Sequence, residues 1–177
     1  MRKLYIYIVL TVLLTAINGC GEKTTVPEAV KNAIALPSGD HDFDTSMGNR
    51  QARRVPLQYP YQLSSNYNSS SGDHCILTKI TPDKVVADAI PSSTIWLKSV
   101  APSKEFVAFE QKRFSDAMLD YDRFGIFYYD TGKYQLFSSK AEIAETVKNR
   151  YGISEELLYY SFDELFQYFK AISSERD

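Results

Sequence analysis

The chain has 177 residues, two cysteines and a formal charge of −2 from 20 Lys+Arg against 22 Asp+Glu. Hydrophobic residues make up 44% and charged residues 24%, ordinary values that exclude a disordered polyampholyte, a collagen, a polytopic membrane protein and a disulfide scaffold. The length suits one domain, and the mild acidity speaks against nucleic acid, whose binders usually carry a basic excess.

Arg2 and Lys3 precede an almost wholly apolar run from Leu4 to Ile17, broken only by Thr11 and Thr15. As a helix this run is about 21 Å long, short of the ~20 residues that a bilayer core of about 30 Å needs. It fits the h-region of a secretory signal and ends in Ile17-Asn18-Gly19-Cys20. That ending resembles the bacterial lipoprotein signal, and the resemblance covers the first 20 residues alone. It implies that residues 1–19 are removed and that Cys20 is lipidated with palmitate-like chains. Because Gly21 rather than Asp follows, it also implies an outer-membrane anchor with the domain in the periplasm. Two or more acyl chains anchor stably, at about 0.8 kcal/mol per buried CH₂. Cys75 is then the one thiol left, and no internal disulfide is expected.

Residues 20–72 read as a lipidated N-terminus and polar tether. They carry Pro27, Pro37, Pro56 and Pro60 and a Ser/Asn run at 64–72, and only Val26 to Leu36 suggests a short helix, with Pro27 near its start. A flexible coil of 50 residues would span about 40 Å. Arg50, Arg53 and Arg54 read as solvated linker charges.

Residues 73–177 read as a compact α+β domain: a small antiparallel sheet packed with three helices and preceded by the flexible arm. His74–Ile80 is a predicted strand. Thr81-Pro82-Asp83-Lys84 is a turn, and Val85–Ile90 a returning strand. Ser93–Val100 is a further strand, ended by Ala101-Pro102. Phe106, Phe109, Phe114, Ala117 and Tyr121 recur at helical spacing, which predicts a helix from Ser103 to about Tyr121. Phe124–Asp130 and Lys133–Ser138 around Thr131-Gly132 predict a hairpin. Ser139-Lys140-Ala141-Glu142 is a capping box for a helix closed by Gly152. Ser154 is expected to cap a last helix with Leu158, Phe162, Leu165, Phe166, Phe169 and Ile172 as its core stripe. Ser161 and Glu164 form a second box at which that helix is expected to break.

Chemistry-bearing residues are few. Ser38-Gly39-Asp40-His41 recurs as Ser71-Gly72-Asp73-His74, and these hold both histidines. A Cys beside a His makes a thiolate nucleophile. Yet strand neighbours point opposite ways, so His41 rather than His74 is the candidate base for Cys75. A small buried Cys on a strand accounts for the same residues. Asp40, His41, Asp42 and Asp44 lack zinc spacing and lack the Gly and Glu of an EF loop, so no metal and no cofactor is expected. There is no phosphate loop, G-x-S-x-G, H-E-x-x-H or C-x-x-C.

The aromatics are the remaining signal. Residues 101–177 hold 17 of the 24 and carry a net charge of −4. Tyr128, Tyr160, Glu164 and Tyr168 are therefore expected to form an acidic, Tyr-rich partner face, suited to a protein with a basic surface. The sequence predicts a non-catalytic, membrane-anchored protein-binding module. Such a module would serve as an assembly accessory, or as an immunity or exclusion factor that occludes an incoming effector. The alternative is an envelope enzyme using Cys75 and His41; a third reading is an apolar-ligand carrier.

Overall fold

A computed structural model describes residues 25–34, 52–66, 75–83, 86–91, 95–112 and 124–174. The expected leader, Cys20, His41, His74 and the 113–121 half of the predicted helix lie outside these residues. Three helices and two four-stranded antiparallel sheets, rather than one sheet, make up the described fold.

The first sheet is a meander of β1 (Ala52–Pro56), β2 (Tyr61–Asn66), β3 (Ile76–Ile80) and β4 (Val86–Asp88) in that order. The β3–β4 hairpin is the one expected from Thr81-Pro82-Asp83. The β1–β2 hairpin corrects the tether reading of 20–72. Val55, Leu57 and Leu63 are fully buried, and Leu63 stands opposite Leu77 of β3. Apolar Val55, Leu57, Tyr61 and Leu63 alternate along the chain, while Gln62, Ser64 and Ser65 between and beyond them are buried as well. Pro56 is accommodated because β1 is an edge strand and Pro56 is its last residue. A second part of that span, α1 (Glu28–Ala33), also docks, with Val30, Ala33 and Ile34 buried in or beside the main core.

The second sheet is a meander of β5 (Leu97–Pro102), β6 (Phe106–Gln111), β7 (Phe124–Tyr128) and β8 (Lys133–Phe137). The β7–β8 hairpin is as the sequence predicts, with Gly132 at φ 63° in its turn. β6 overturns the helix predicted from Ser103. Phe106, Val107, Ala108 and Phe109 are all buried, and β6 is an inner strand between β5 and β7. A strand covered on both faces is apolar at successive positions, so the i, i+3 spacing of Phe106 and Phe109 carries no helical information. Ser103 closes the β5–β6 turn instead: its N–H donates to the Phe106 carbonyl at 2.9 Å.

The two faces of this sheet belong to two cores. Val100, Val107, Phe109 and Phe127 face the first sheet, α1 and α3 (Phe162–Ser174). Ala101, Phe106, Ala108, Ile126 and Tyr128 face α2 (Lys140–Tyr151), which contributes Ile143 and Val147. Tyr128 and the following Tyr129 pack on different cores.

α2 starts at the predicted Ser139. Its Oγ accepts the Glu142 N–H at 3.3 Å, while the Glu142 carboxylate accepts from Ser138 N–H and Oγ at 3.2 and 2.6 Å. It ends at Gly152, φ 72°. α3 starts at the second box and not at Ser154. Ser161 N–H donates to the Glu164 carboxylate at 2.7 Å, and Ser161 Oγ accepts the Glu164 N–H at 3.3 Å. The reason for the late start lies in β5. Val100 and Tyr160 exchange two backbone bonds of 2.8 Å, which hold residues 153–160 out of helix and cover part of the β5 edge. Cys75 covers another part through its own two bonds to Leu97.

Candidate functional site

Of the four residues expected to share one partner face, Tyr160, Glu164 and Tyr168 lie near one another, while Tyr128 packs on the other core. Tyr128 is 5% exposed, lies under the Arg150 guanidinium (4.1 Å to the ring centre) and donates to Gln135 at 3.4 Å. Tyr160 is 9% exposed and packs in the other core, edge-on to the half-buried Tyr168 at 5.7 Å. Glu164 is exposed, but its carboxylate is engaged by the Ser161 N–H and hydroxyl. The aromatics chosen as contact residues are mostly core residues.

Cys75 sits at 2% exposure, and burial pushes its thiol up to about 12. A thiol held protonated at neutral pH is not an activated nucleophile. His41, its candidate base, lies outside the described residues. Among the described residues no group of three or more His, Cys, Asp and Glu could hold a metal ion, and no helix is long and apolar enough to cross a membrane.

Two surface hollows carry polar or apolar character worth weighing. The first, about 410 Å³, centres on Glu110. A register shift between Leu97 and Ser99 turns consecutive residues toward one carboxylate, as a bulge does. Lys98 Nζ donates to Glu110 Oε1 at 2.7 Å and Ser99 Oγ to Oε2 at 3.2 Å, with Lys140 Nζ 3.9 Å away. Burial alone would raise the Glu110 carboxyl, but these three partners outweigh it and hold it below its ordinary range. Lys140 also lies 4.2 Å over the Tyr159 ring, and burial, then the Glu110 charge, push the Tyr159 hydroxyl up to about 12. The hollow's charges are turned toward one another, so it offers an incoming ion little uncompensated field.

The second hollow is a groove of about 700 Å³. It is lined by the β5–β6 turn, from Ala101 to Phe106, by the segment from Gly152 to Leu158, and by Ala29 and Asn32 of α1. Gly152 ends α2 in a left-handed conformation, and the Tyr160–Val100 bonds keep the following chain extended. Leu158 is left 55% exposed, the one aliphatic side chain among the described large hydrophobics so placed. Glu105, Glu155 and Glu156 against Lys104 give the rim a net charge of −2. The sequence places Leu158 on a helical core stripe, and Glu155 and Glu156 fall within the helix expected from Ser154; the structure has no helix there. The Ser161 box was the signal that no helix passes through them.

Comparison with protein-family models, with curated proteins and with solved structures finds no match to this chain.

Proposed function

We propose that the chain is a lipid-anchored envelope protein that binds another protein without catalysis, and that its contact site is the acidic, apolar groove around Leu158. The observation that carries this reading is that a molecule with two well-buried cores leaves a leucine more than half exposed among three glutamates. Binding sites are concave, with apolar lining and a few placed polar groups. The net −2 of the rim suits a segment that offers an aliphatic residue beside Lys or Arg. Occlusion of an incoming effector and assistance in assembly both need this and no reacting group. The Ile17-Asn18-Gly19-Cys20 signal supports the anchor and the outer-membrane, periplasm-facing address.

The test of the groove is a photocrosslinking residue placed at 158, with Tyr134, 40% exposed on the edge strand β8, as control position. One discrete adduct is expected at 158, lost when Glu155 and Glu156 are both changed to Lys, and none at 134. Equal adducts at both positions, or survival through the charge reversal, would refute the groove. Palmitate incorporation that is present in the wild type and absent in Cys20→Ala tests the anchor.

A further inference from the structure

The reading of residues 20–72 as a long tether placed the folded domain some tens of ångströms from the membrane. The chain instead enters the fold almost at once. Val26 is 8% exposed and belongs to the main core, and Val30, Ala33 and Ile34 follow it at 0, 3 and 4%. The α1 turn is closed by Val30 and Lys31 N–H groups on the Pro27 carbonyl, at 3.0 and 3.1 Å. Between Cys20 and Val26 there are six Cα-to-Cα steps, which reach at most about 22 Å however that segment is arranged. A folded domain of this size has a radius of gyration of about 15 Å. The reach is therefore no greater than the breadth of the domain.

We infer, resting on lipidation of Cys20, that the domain is held against the membrane surface on this short leash. The groove then receives a segment of a membrane-borne protein just outside the bilayer. The groove lies near the leash's point of entry: Ala29 and Asn32 of α1 are among its lining residues, and Ala29 is three residues beyond Val26. Ala29, at the groove, thus lies within about 30 Å of the acylated cysteine. The lipid surface itself is the poorer occupant. Glu105, Glu155 and Glu156 on the rim are repelled by anionic headgroups, whose negative potential favours basic segments. The same charges favour an aliphatic residue flanked by Lys or Arg on a protein.

The experiment uses the full-length lipidated protein in vesicles of phosphatidylethanolamine and phosphatidylglycerol. A fluorescent donor is placed at 158 (Leu158→Cys in a Cys75→Ala background) and an acceptor on the lipid headgroups. A Gly/Ser insert of about 30 residues after Lys23 lengthens the leash by a root-mean-square reach of about 30 Å without touching the docked α1. Transfer is expected to be strong in the native chain and to fall at least about twofold with the insert, with circular dichroism unchanged. Unchanged transfer in a palmitate-labelled chain overturns the leash alone, while a chain that takes no palmitate and does not float with vesicles overturns the anchor and the leash together. The partner class is read from the adduct at 158 in cells producing an unanchored form, with an ordinary cleaved signal and Cys20→Ala. An adduct that sediments with membranes supports a membrane-borne protein; an adduct in the soluble fraction, or crosslinking to lipid only, overturns it.

Discussion

Replacing Gly125 by Ala tests whether the second sheet is packed as tightly as its two cores require. Gly125 on β7 stands directly opposite Phe109 on β6. A Cβ built on Gly125 would overlap Phe109 Cζ and lie 2.6 and 2.9 Å from Cε2 and Cε1. Phe109 is fully buried and stands across from Val100, also fully buried, on its other side, so the ring has nowhere ready to go. Overpacking of this kind costs about 1–3 kcal/mol. Removing a glycine from the unfolded chain returns up to about 1 kcal/mol. The net expectation is a loss of about 1–2 kcal/mol. Urea unfolding followed by the fluorescence of Trp96, the sole tryptophan, and by far-ultraviolet circular dichroism reads it by linear extrapolation. Phe109→Leu opens the space that the new methyl needs. The double variant should therefore be more stable than the sum of the two single losses by about 1 kcal/mol or more. Gly152→Ala is the control: it costs about 1 kcal/mol for its φ of 72°, has nothing within 4 Å and shows no coupling to Phe109→Leu. A Gly125→Ala protein within about 0.5 kcal/mol of wild type, with no coupling, would show that this contact is not in place.

Three further outcomes follow from the same packing. Cys75 should resist iodoacetamide in the native protein at neutral pH and react fully in guanidinium, given its 2% exposure and raised pKa; rapid native labelling would revive the thiol-enzyme alternative. Gln62 is fully buried with neither amide atom partnered, so Gln62→Met should be neutral or raise stability by about 1 kcal/mol, because an unsatisfied buried amide costs about that much or more; a loss greater than 1 kcal/mol would mean that the amide is bonded in solution. The folded-state pKa of Glu110 is depressed, so its contribution is present above the unfolded carboxyl pKa and is lost as pH falls through the folded value. Glu110→Gln should cost about 0.5–1 kcal/mol at pH 7, a value discounted for its partial exposure, and the gap to wild type should close as pH falls through the lowered folded-state pKa; a gap independent of pH would assign the loss to packing.

What was legible in the sequence was what local chemistry decides. The β7–β8 hairpin and α2 announce themselves through Gly132, the Ser139 box and Gly152, whose signals act within a few residues. β6 was not legible, because burial on both faces erases the alternation that distinguishes strand from helix. The β1–β2 hairpin was hidden by prolines and serines. Yet Ser64 is 9% and Ser65 3% exposed, and Ser64 Oγ lies 3.2 Å from Thr78 Oγ1, so these serines are interior residues and not linker. Arg53, read as a solvated linker charge, spreads over Phe162 and Phe166 at 5.3 and 5.5 Å and pairs with Asp163 at 2.6 Å. Each of these readings turned on a partner far away in the chain. The groove is the extreme case: Leu158 is exposed because Tyr160 is captured by Val100 on β5.

The aromatic excess takes on a different meaning once two cores are in view. A sheet covered on one side needs large side chains on alternate residues; a sheet covered on both needs them at successive ones. Phe106 and Phe109 serve opposite cores from one strand, as Phe127 and Tyr128 do from the next. Several of the tyrosines then pack with buried hydroxyls, those of Tyr129, Tyr151, Tyr159 and Tyr160, that have no bonding partner. Tyrosine at these positions is filling volume, because a hydroxyl serving recognition would be left accessible to a partner. Aromatic content therefore measures how much interior this small fold encloses, and it is a poor guide to where a partner lands. The better guide is what that interior fails to enclose. Leu158 joins neither core, on a segment that a backbone pairing holds extended beside Glu155 and Glu156. Full burial of a leucine is worth about 1.5–3 kcal/mol; Leu158, 55% exposed, forgoes roughly half of that, which a partner's side chain would restore.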